Sequence, residues 1–326
     1  MVVGIIGILL VMLHTGLVDR KLEEAFASGK TKFDPIRVTR GEFYAFFLFS
    51  LMGVMLCCSA TDLIWLFLAL ELTSLPTYVM VAMSRGSKQA QEAAVKYFFL
   101  GALAAAIFLY GFALLYGATG TIVFTEMRAV FAEQSAAALA AGSDQSISGL
   151  AVVGAILAIL GIGFKIAAAP LHFYAADVYE GAAAPVTAFL AFVPKFAGII
   201  ALIVLLSAIG WQGHYPQGVS GLPEPILTTL WMVAVLTMTL GNVGALLQRN
   251  LKRLLAYSSI AHSGYMLIGV IAGGTLGINA VLFYMLAYGI MNTAAFAVIA
   301  GLERRGQEIE SLADISGLRH RHPWMA

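Results

Sequence analysis

Nine apolar runs follow one another along the chain, near 1–18, 42–60, 62–83, 93–117, 148–184, 185–208, 226–247, 252–273 and 277–300. Most hold the roughly 20 residues that an α-helix needs to cross a ~30 Å hydrocarbon core. A backbone in lipid must satisfy its own N–H and C=O groups, so each run reads as a helix. Membrane-barrel strands would alternate apolar with polar residues, and these runs do not. Hydrophobic residues make up 60% of the chain and charged residues 11%, too little charge to cover a water-soluble protein of 326 residues. The predicted fold class is therefore an all-α membrane protein, a polytopic helix bundle forming one transmembrane domain over 1–326.

The same residues exclude several kinds of chemistry. The first run has neither the basic n-region nor the small-residue cleavage site of a signal peptide. Cys57 and Cys58 are adjacent in an apolar helix and read as small core residues, and no CxxC suggests zinc or an iron–sulfur cluster. No glycine-rich phosphate loop follows a strand. No cofactor or metal is expected on this chain, so a redox group would sit on another. A net charge of +1 without a basic aromatic patch gives no reason to expect nucleic acid.

Arginine and lysine are unevenly placed. Arg20, Lys21, Lys30, Lys32, Arg37 and Arg40 fall in the loop 19–41, Arg85 and Lys88 in the next loop on that side, and Arg249, Lys252 and Arg253 in the turn 248–253. Arg304, Arg305, Arg319 and Arg321 lie in the segment 301–326. If 148–184 crosses once, all fifteen share one side and only Arg128 lies on the other, so the basic side is predicted to be cytoplasmic. One crossing is hard to reconcile with 37 residues, which as straight helix would extend ~55 Å. A helix broken around Pro170 resolves this: proline removes a backbone donor and clashes with the turn before it. Broken helices are tolerated in membranes where they line protein or a hydrated cavity, and they mark ion sites in transporters. The plainer alternative is a helix ending near 169 followed by an interfacial helix at 172–182.

Lys165 in "GIGFKIAAAP" and Lys195 in "FVPKFAG" then lie deep in their runs, where a charge costs about 3 kcal/mol on insertion scales. Glu71 lies midway along 62–83, and Lys96 opens "VKYFFLG". A nearby opposite charge favours an ionised form, whereas burial favours a neutral one. A lysine held between these pulls can release a proton when its acid partner moves. These residues read as a proton relay, with structural ion pairs as the alternative; Lys96, nearer an end, could instead snorkel to the interface. In "YSSIAHSGYM", Ser258, His262 and Tyr265 share a helix face, and His262 is either a proton carrier or a hydrogen-bonded structural histidine. Tyr284, Tyr288 and Asn292 share a face suited to helix–helix hydrogen bonding. His172, Asp177 and Glu180, just past the break, either line a hydrated entry or sit at the interface without a transport role.

Three stretches carry a family resemblance: "LELTSLPTYVMVAMSRGSKQAQEAAVKYFFLGALAAAIFLYGFALLYGATGT" at 70–121, "GFKIAAAPLHFYAADVYEGAAAPVTAFLAFVPKFAG" at 163–198 and "NLKRLLAYSSIAHSGYMLIG" at 250–269. They resemble the subunit N family of bacterial NADH-quinone oxidoreductase, respiratory complex I, over roughly 40–300. The resemblance implies an antiporter-like, inverted-repeat fold and a proton-translocating membrane subunit in the cell inner membrane. That subunit would belong to an NADH:quinone oxidoreductase, beside neighbouring antiporter-like and small membrane subunits, with no redox site of its own. It implies that Glu71 pairs with Lys165 on the first broken helix, that Lys195 connects onward, that Lys96 is a further lysine and that His262 lies on the central polar axis. It also implies that a pair of helices is missing before residue 1, and that the chain stops at Ala326 before a second broken helix and its lysine. Three other readings compete: a cation/proton antiporter or membrane-bound hydrogenase subunit of the same superfamily, a solute carrier, and a scaffold that transports nothing.

Overall fold

A computed structural model describes residues 1–14, 28–29, 35–85, 87–140, 147–210, 222–304, 311–321 and 323–324, with backbone alone at 35–40, Leu139, Arg304 and Arg321. Its helices are α1 Val2–His14, α2 Pro35–Cys58, α3 Leu63–Ser84, α4 Lys88–Thr119, α5 Phe124–Ala140, α6 Gly149–Lys165, α7 Tyr174–Gly181, α8 Ala184–Ile209, α9 Glu224–Leu246, α10 Leu251–Ala272, α11 Gly274–Arg304 and α12 Leu318–Arg321. Among the described residues the only β pairing is two isolated bridges, Asp62 with Val123 and Asn250 with Ser311. Among the described residues seven helices are long and apolar enough to cross a bilayer: α2 from Gly41, then α3, α4, α8, α9, α10 and α11. The α1 and α6 helices are shorter apolar helices.

Capping residues set where several helices begin. Asp62 accepts a hydrogen bond from the Trp65 N–H at 2.7 Å, Ser87 from Ala90, Ser148 from Ala151 and Asn250 from Arg253. Each satisfies one of the donors that a helix start leaves open. Within the bundle, α8 is buried along almost its whole length, packed by α1, α2, α3, α5, α6, α10 and α11. A helix that is apolar all round belongs at such a centre. One close pair is α4 with α6, where a Cβ on Gly111 would lie 2.6 Å from Ala158 N and one on Gly161 would lie 2.6 Å from Phe108 N. Small residues let two backbones approach closely where lipid supplies no hydrophobic drive.

The helix ends sort into two faces. On one, the end of α3 meets the start of α10 and the end of α11: Arg85 and Lys252 both bind Glu303 Oε1, each at 2.9 Å. The start of α8 is tied there too, with the Ala183 N–H on Ser84 Oγ at 3.4 Å. On the other face, the Asp62–Val123 bridge joins two loops, and Arg128 Nε donates to the Ser207 carbonyl at 2.9 Å. Arg85, Lys252 and Arg253 thus lie opposite Arg128. The basic loop 19–41 falls largely outside the described residues, as do Arg305 and the side chains of Arg37, Arg40, Arg304 and Arg321.

The 148–184 run is a broken helix. The α6 helix stops at Lys165, the chain turns through Ala167 at φ 54°, passes a cis Ala169–Pro170 bond and re-enters helix at Tyr174. Helix ends five residues before the proline, earlier than the proline alone requires, because Ala167 N and Ala168 N turn back onto Phe164 O (2.9 Å) and Gly163 O (2.8 Å). The carbonyls released by the break find other donors. Tyr174 OH donates to Phe164 O at 2.8 Å, and Ser263 Oγ donates to Ile166 O. Beyond the turn, Ala169 N donates to Thr237 Oγ1 at 2.9 Å, anchoring the loop to α9.

The α5 helix is absent from the nine runs. It is too short and polar to span, yet Phe124, Met127 and Phe131 recur at three- and four-residue steps and are buried.

Candidate functional site

Lys165 is the last residue of α6, so the break holds its side chain against α3. Its Nζ lies 3.1 Å from Glu71 Oε1 and donates to Ser74 Oγ, with the Phe108 ring centroid at 5.7 Å. The Lys165 side chain is 2% exposed and that of Glu71 18%. Glu71 comes eight residues after the start of α3, about 12 Å along its axis, and Lys195 eleven residues into α8, about 16 Å. Both positions are near the middle of a ~30 Å core.

Lys195 is equally buried, and among the described residues no carboxylate forms an ion pair with it. Its Nζ donates to the Ser259 carbonyl and to Ser263 Oγ at 2.6 Å, with the Tyr288 ring centroid at 5.9 Å. Pro194 sits beside it and lacks the N–H that would have met the Leu190 carbonyl. Gly198, one turn on, faces the break: a Cβ there would lie 2.7 Å from Ile166 Cγ2 and 3.0 Å from Lys165 Cβ. Only a residue without a side chain lets α8 come this close to Lys165.

From Lys195 a run of hydroxyls and rings leads outward. Ser259 Oγ shares a hydrogen bond with Tyr288 OH at 2.6 Å and another with Tyr179 OH at 3.2 Å. His262 Nδ1 shares one with Tyr284 OH at 2.6 Å, and its ring lies 4.9 Å from the Tyr288 ring and 5.6 Å from the Tyr265 ring. Tyr265 OH and the Asn242 amide are bonded at 2.8 Å on the exposed flank.

The structure brings together Glu71, Lys165, Lys195 and His262 through contacts of α3, α6, α8, α10 and α11. Lys96 stands apart. Its side chain is 44% exposed and pairs with Glu92 at 2.7 Å and Asp177 at 2.9 Å. It is not a third buried amine, because α4 starts at Lys88 and turns position 96 outward towards α7. Asp177 also binds Arg253 at 2.8 Å, and Glu180 binds Arg253 at 2.7 Å and Asn250 at 3.0 Å. These charges clamp α7 between α4 and α10 on the basic face. His172 is buried beside Phe173, and Asn292 is buried with its amide nitrogen unpartnered. Ser258 is only half-buried; the hydroxyls that reach Lys195 and its neighbours are Ser259 and Ser263. Among the described residues no group of three or more His, Cys, Asp or Glu could hold a metal ion.

Residues 60–326 match the family described as NADH:quinone oxidoreductase/Mrp antiporter, TM. A relative named NADH-quinone oxidoreductase subunit N from Nitrosomonas europaea is 41% identical over 287 residues, covering 88% of this chain and 56% of that protein. A chain of respiratory complex I from Thermus thermophilus, solved with bound aureothin, superposes with a TM-score of 0.71 at 34% identity, over 99% of this chain and 62% of that one. A chain of an archaeal membrane-bound sulfane sulfur reductase, a respiratory membrane complex, gives 0.72 at 29% identity, over 86% of this chain and 53% of that one. The chain spans a little over half the length of the curated relatives it matches. By sequence and by helix arrangement, the chain belongs to the NADH:quinone oxidoreductase/Mrp antiporter transmembrane family.

Proposed function

We propose that this chain is the proton-carrying membrane portion of subunit N of a bacterial NADH-quinone oxidoreductase. It lies in the cell inner membrane with its basic face cytoplasmic, crosses nine times and works beside other membrane subunits, which supply the redox chemistry. The observation that carries this reading is the Glu71–Lys165 pair, 3.1 Å apart, set at the end of a broken helix with Lys195 just beyond it. An intramembrane ionisable residue marks an ion or proton pathway by default. Separating the pair removes the charge that holds the Lys165 proton, and the proton moves towards Lys195 and the Ser259–Tyr288–His262 string. Lys96 serves with Asp177 to hold α7 in place rather than to carry protons.

The test uses sealed membrane vesicles containing the whole complex, energised with NADH. Lys195→Ala is expected to lower proton uptake per NADH while oxidation in the presence of an uncoupler continues. Unchanged uptake would overturn the reading. The family's antiporter branch supports a second reading, exchange of a cation for protons, which a sodium gradient would drive without NADH.

A further inference from the structure

Ser263 bonds both Lys195 and the residue that follows Lys165. It is 1% exposed, it accepts a hydrogen bond from Lys195 Nζ at 2.6 Å, and it donates its own proton to the carbonyl of Ile166, the residue after Lys165. We propose that Ser263 is a positioning residue that ties the charge on Lys195 to the shape of the break beside Lys165. This rests on the proton-carrying reading above.

The chain itself explains why the Ile166 carbonyl is open. In an unbroken helix it would accept from the N–H of residue 170, and Pro170 has none. A buried carbonyl left unpaired is destabilising, and the Ser263 hydroxyl removes that cost. A hydroxyl, however, has a single proton to give.

An ammonium at Lys195 is donor only, so it asks Ser263 for a lone pair and leaves the Ser263 proton on Ile166. When Nζ passes one proton to the next acceptor, it keeps that bond's electron pair and now needs a donor. The Ser259 group facing it is a carbonyl, which cannot donate, and Tyr288 OH is engaged with Ser259 Oγ. The Ser263 proton therefore turns to Nζ without any O–H bond breaking, and the Ile166 carbonyl loses its cap. The charge state of Lys195 and the closure of the break are thus set by one hydroxyl. Lys165 has no equivalent device: Ser74 gives its proton to Leu70 O at 2.8 Å within its own helix, where the carbonyl also has its backbone partner.

The experiment compares Ser263→Ala, Ser263→Thr, Lys195→Ala and Lys165→Ala in the whole complex, measuring proton uptake and uncoupled NADH oxidation. The uptake carried by this chain is the part lost in Lys195→Ala. That part is expected to fall about tenfold in Ser263→Ala, the scale of one lost hydrogen bond to a charged group, and to return in Ser263→Thr, which keeps the hydroxyl. If the alanine variant fails to assemble, Ser263→Cys, a weak donor of similar size, takes its place with the same expectation. Normal uptake in Ser263→Ala, or a Ser263→Thr variant as impaired as alanine, overturns the proposal. Lys165→Ala separates the two levels: if it too pumps normally, the proton-carrying reading has failed, and if it does not, the failure is that of Ser263 alone.

Discussion

Glu71→Ala is expected to destabilise the assembled protein by about 3–5 kcal/mol, the cost of removing one partner from a buried ion pair. Among the described residues Glu71 is the one carboxylate that pairs with the Lys165 ammonium, and the Lys165 side chain is 2% exposed. Without Glu71, Ser74 Oγ and the Phe108 ring are left to face that charge, and neither carries a full negative charge. A loss of this size is a large share of the 5–15 kcal/mol that holds a typical domain folded. The double variant Glu71→Leu, Lys165→Met is expected to recover most of it, because removing both charges together is close to neutral. Thermal unfolding and yield of the assembled complex read both outcomes. A Glu71→Ala complex as stable as the parent would mean that Lys165 has another counter-charge.

Gly198→Leu is expected to lower proton uptake through this chain about 10²-fold, the scale on which a 1 Å misplacement of a reacting group acts. The first carbon of any side chain at 198 would press on Ile166 Cγ2 at 2.7 Å and Lys165 Cβ at 3.0 Å. The α8 helix is buried on nearly all sides, so the strain cannot be shed outward. Lys195, one turn earlier on the same face, then shifts from Ser259 O and Ser263 Oγ. Overpacking adds about 1–3 kcal/mol of destabilisation, so the complex should still assemble. Comparing uptake with uncoupled NADH oxidation separates the two effects. Equal losses in both would point to simple misfolding.

Sequence reasoning reached the buried charges because a lysine in an apolar run is costly and so draws notice. Glu71 and Lys165 lie 94 residues apart, so their spacing does not reveal the pairing; the family resemblance implies it and the 3.1 Å contact bears it out. For Lys96 the sequence left relay and snorkelling open: whether a lysine eight residues into a helix is buried depends on which way that position faces, and here it faces Asp177 of α7, 44% exposed. Ser259 and Ser263 left no signal of their own, since serine is ordinary in membrane helices and its value here comes from two carbonyls and an amine on other segments. Ser258 shares a helix face with His262, but the hydroxyl that joins Tyr288 is that of Ser259, about 100° further around the helix. Gly198 becomes informative only once the break is known to lie against it. The α5 helix was legible in its 124, 127, 131 spacing, but attention to spanning length passed over a helix that lies at one end of the bundle.

At the centre stands a buried amine at the end of a broken helix, which we propose takes up and releases protons. The most direct measurement is proton uptake per NADH oxidised in vesicles bearing the complex with Lys165→Ala, beside the parent complex at matched assembly. Uptake is expected to drop while uncoupled NADH oxidation persists; full uptake from a complex that is merely less stable would show that Lys165 and Glu71 only fasten helices together.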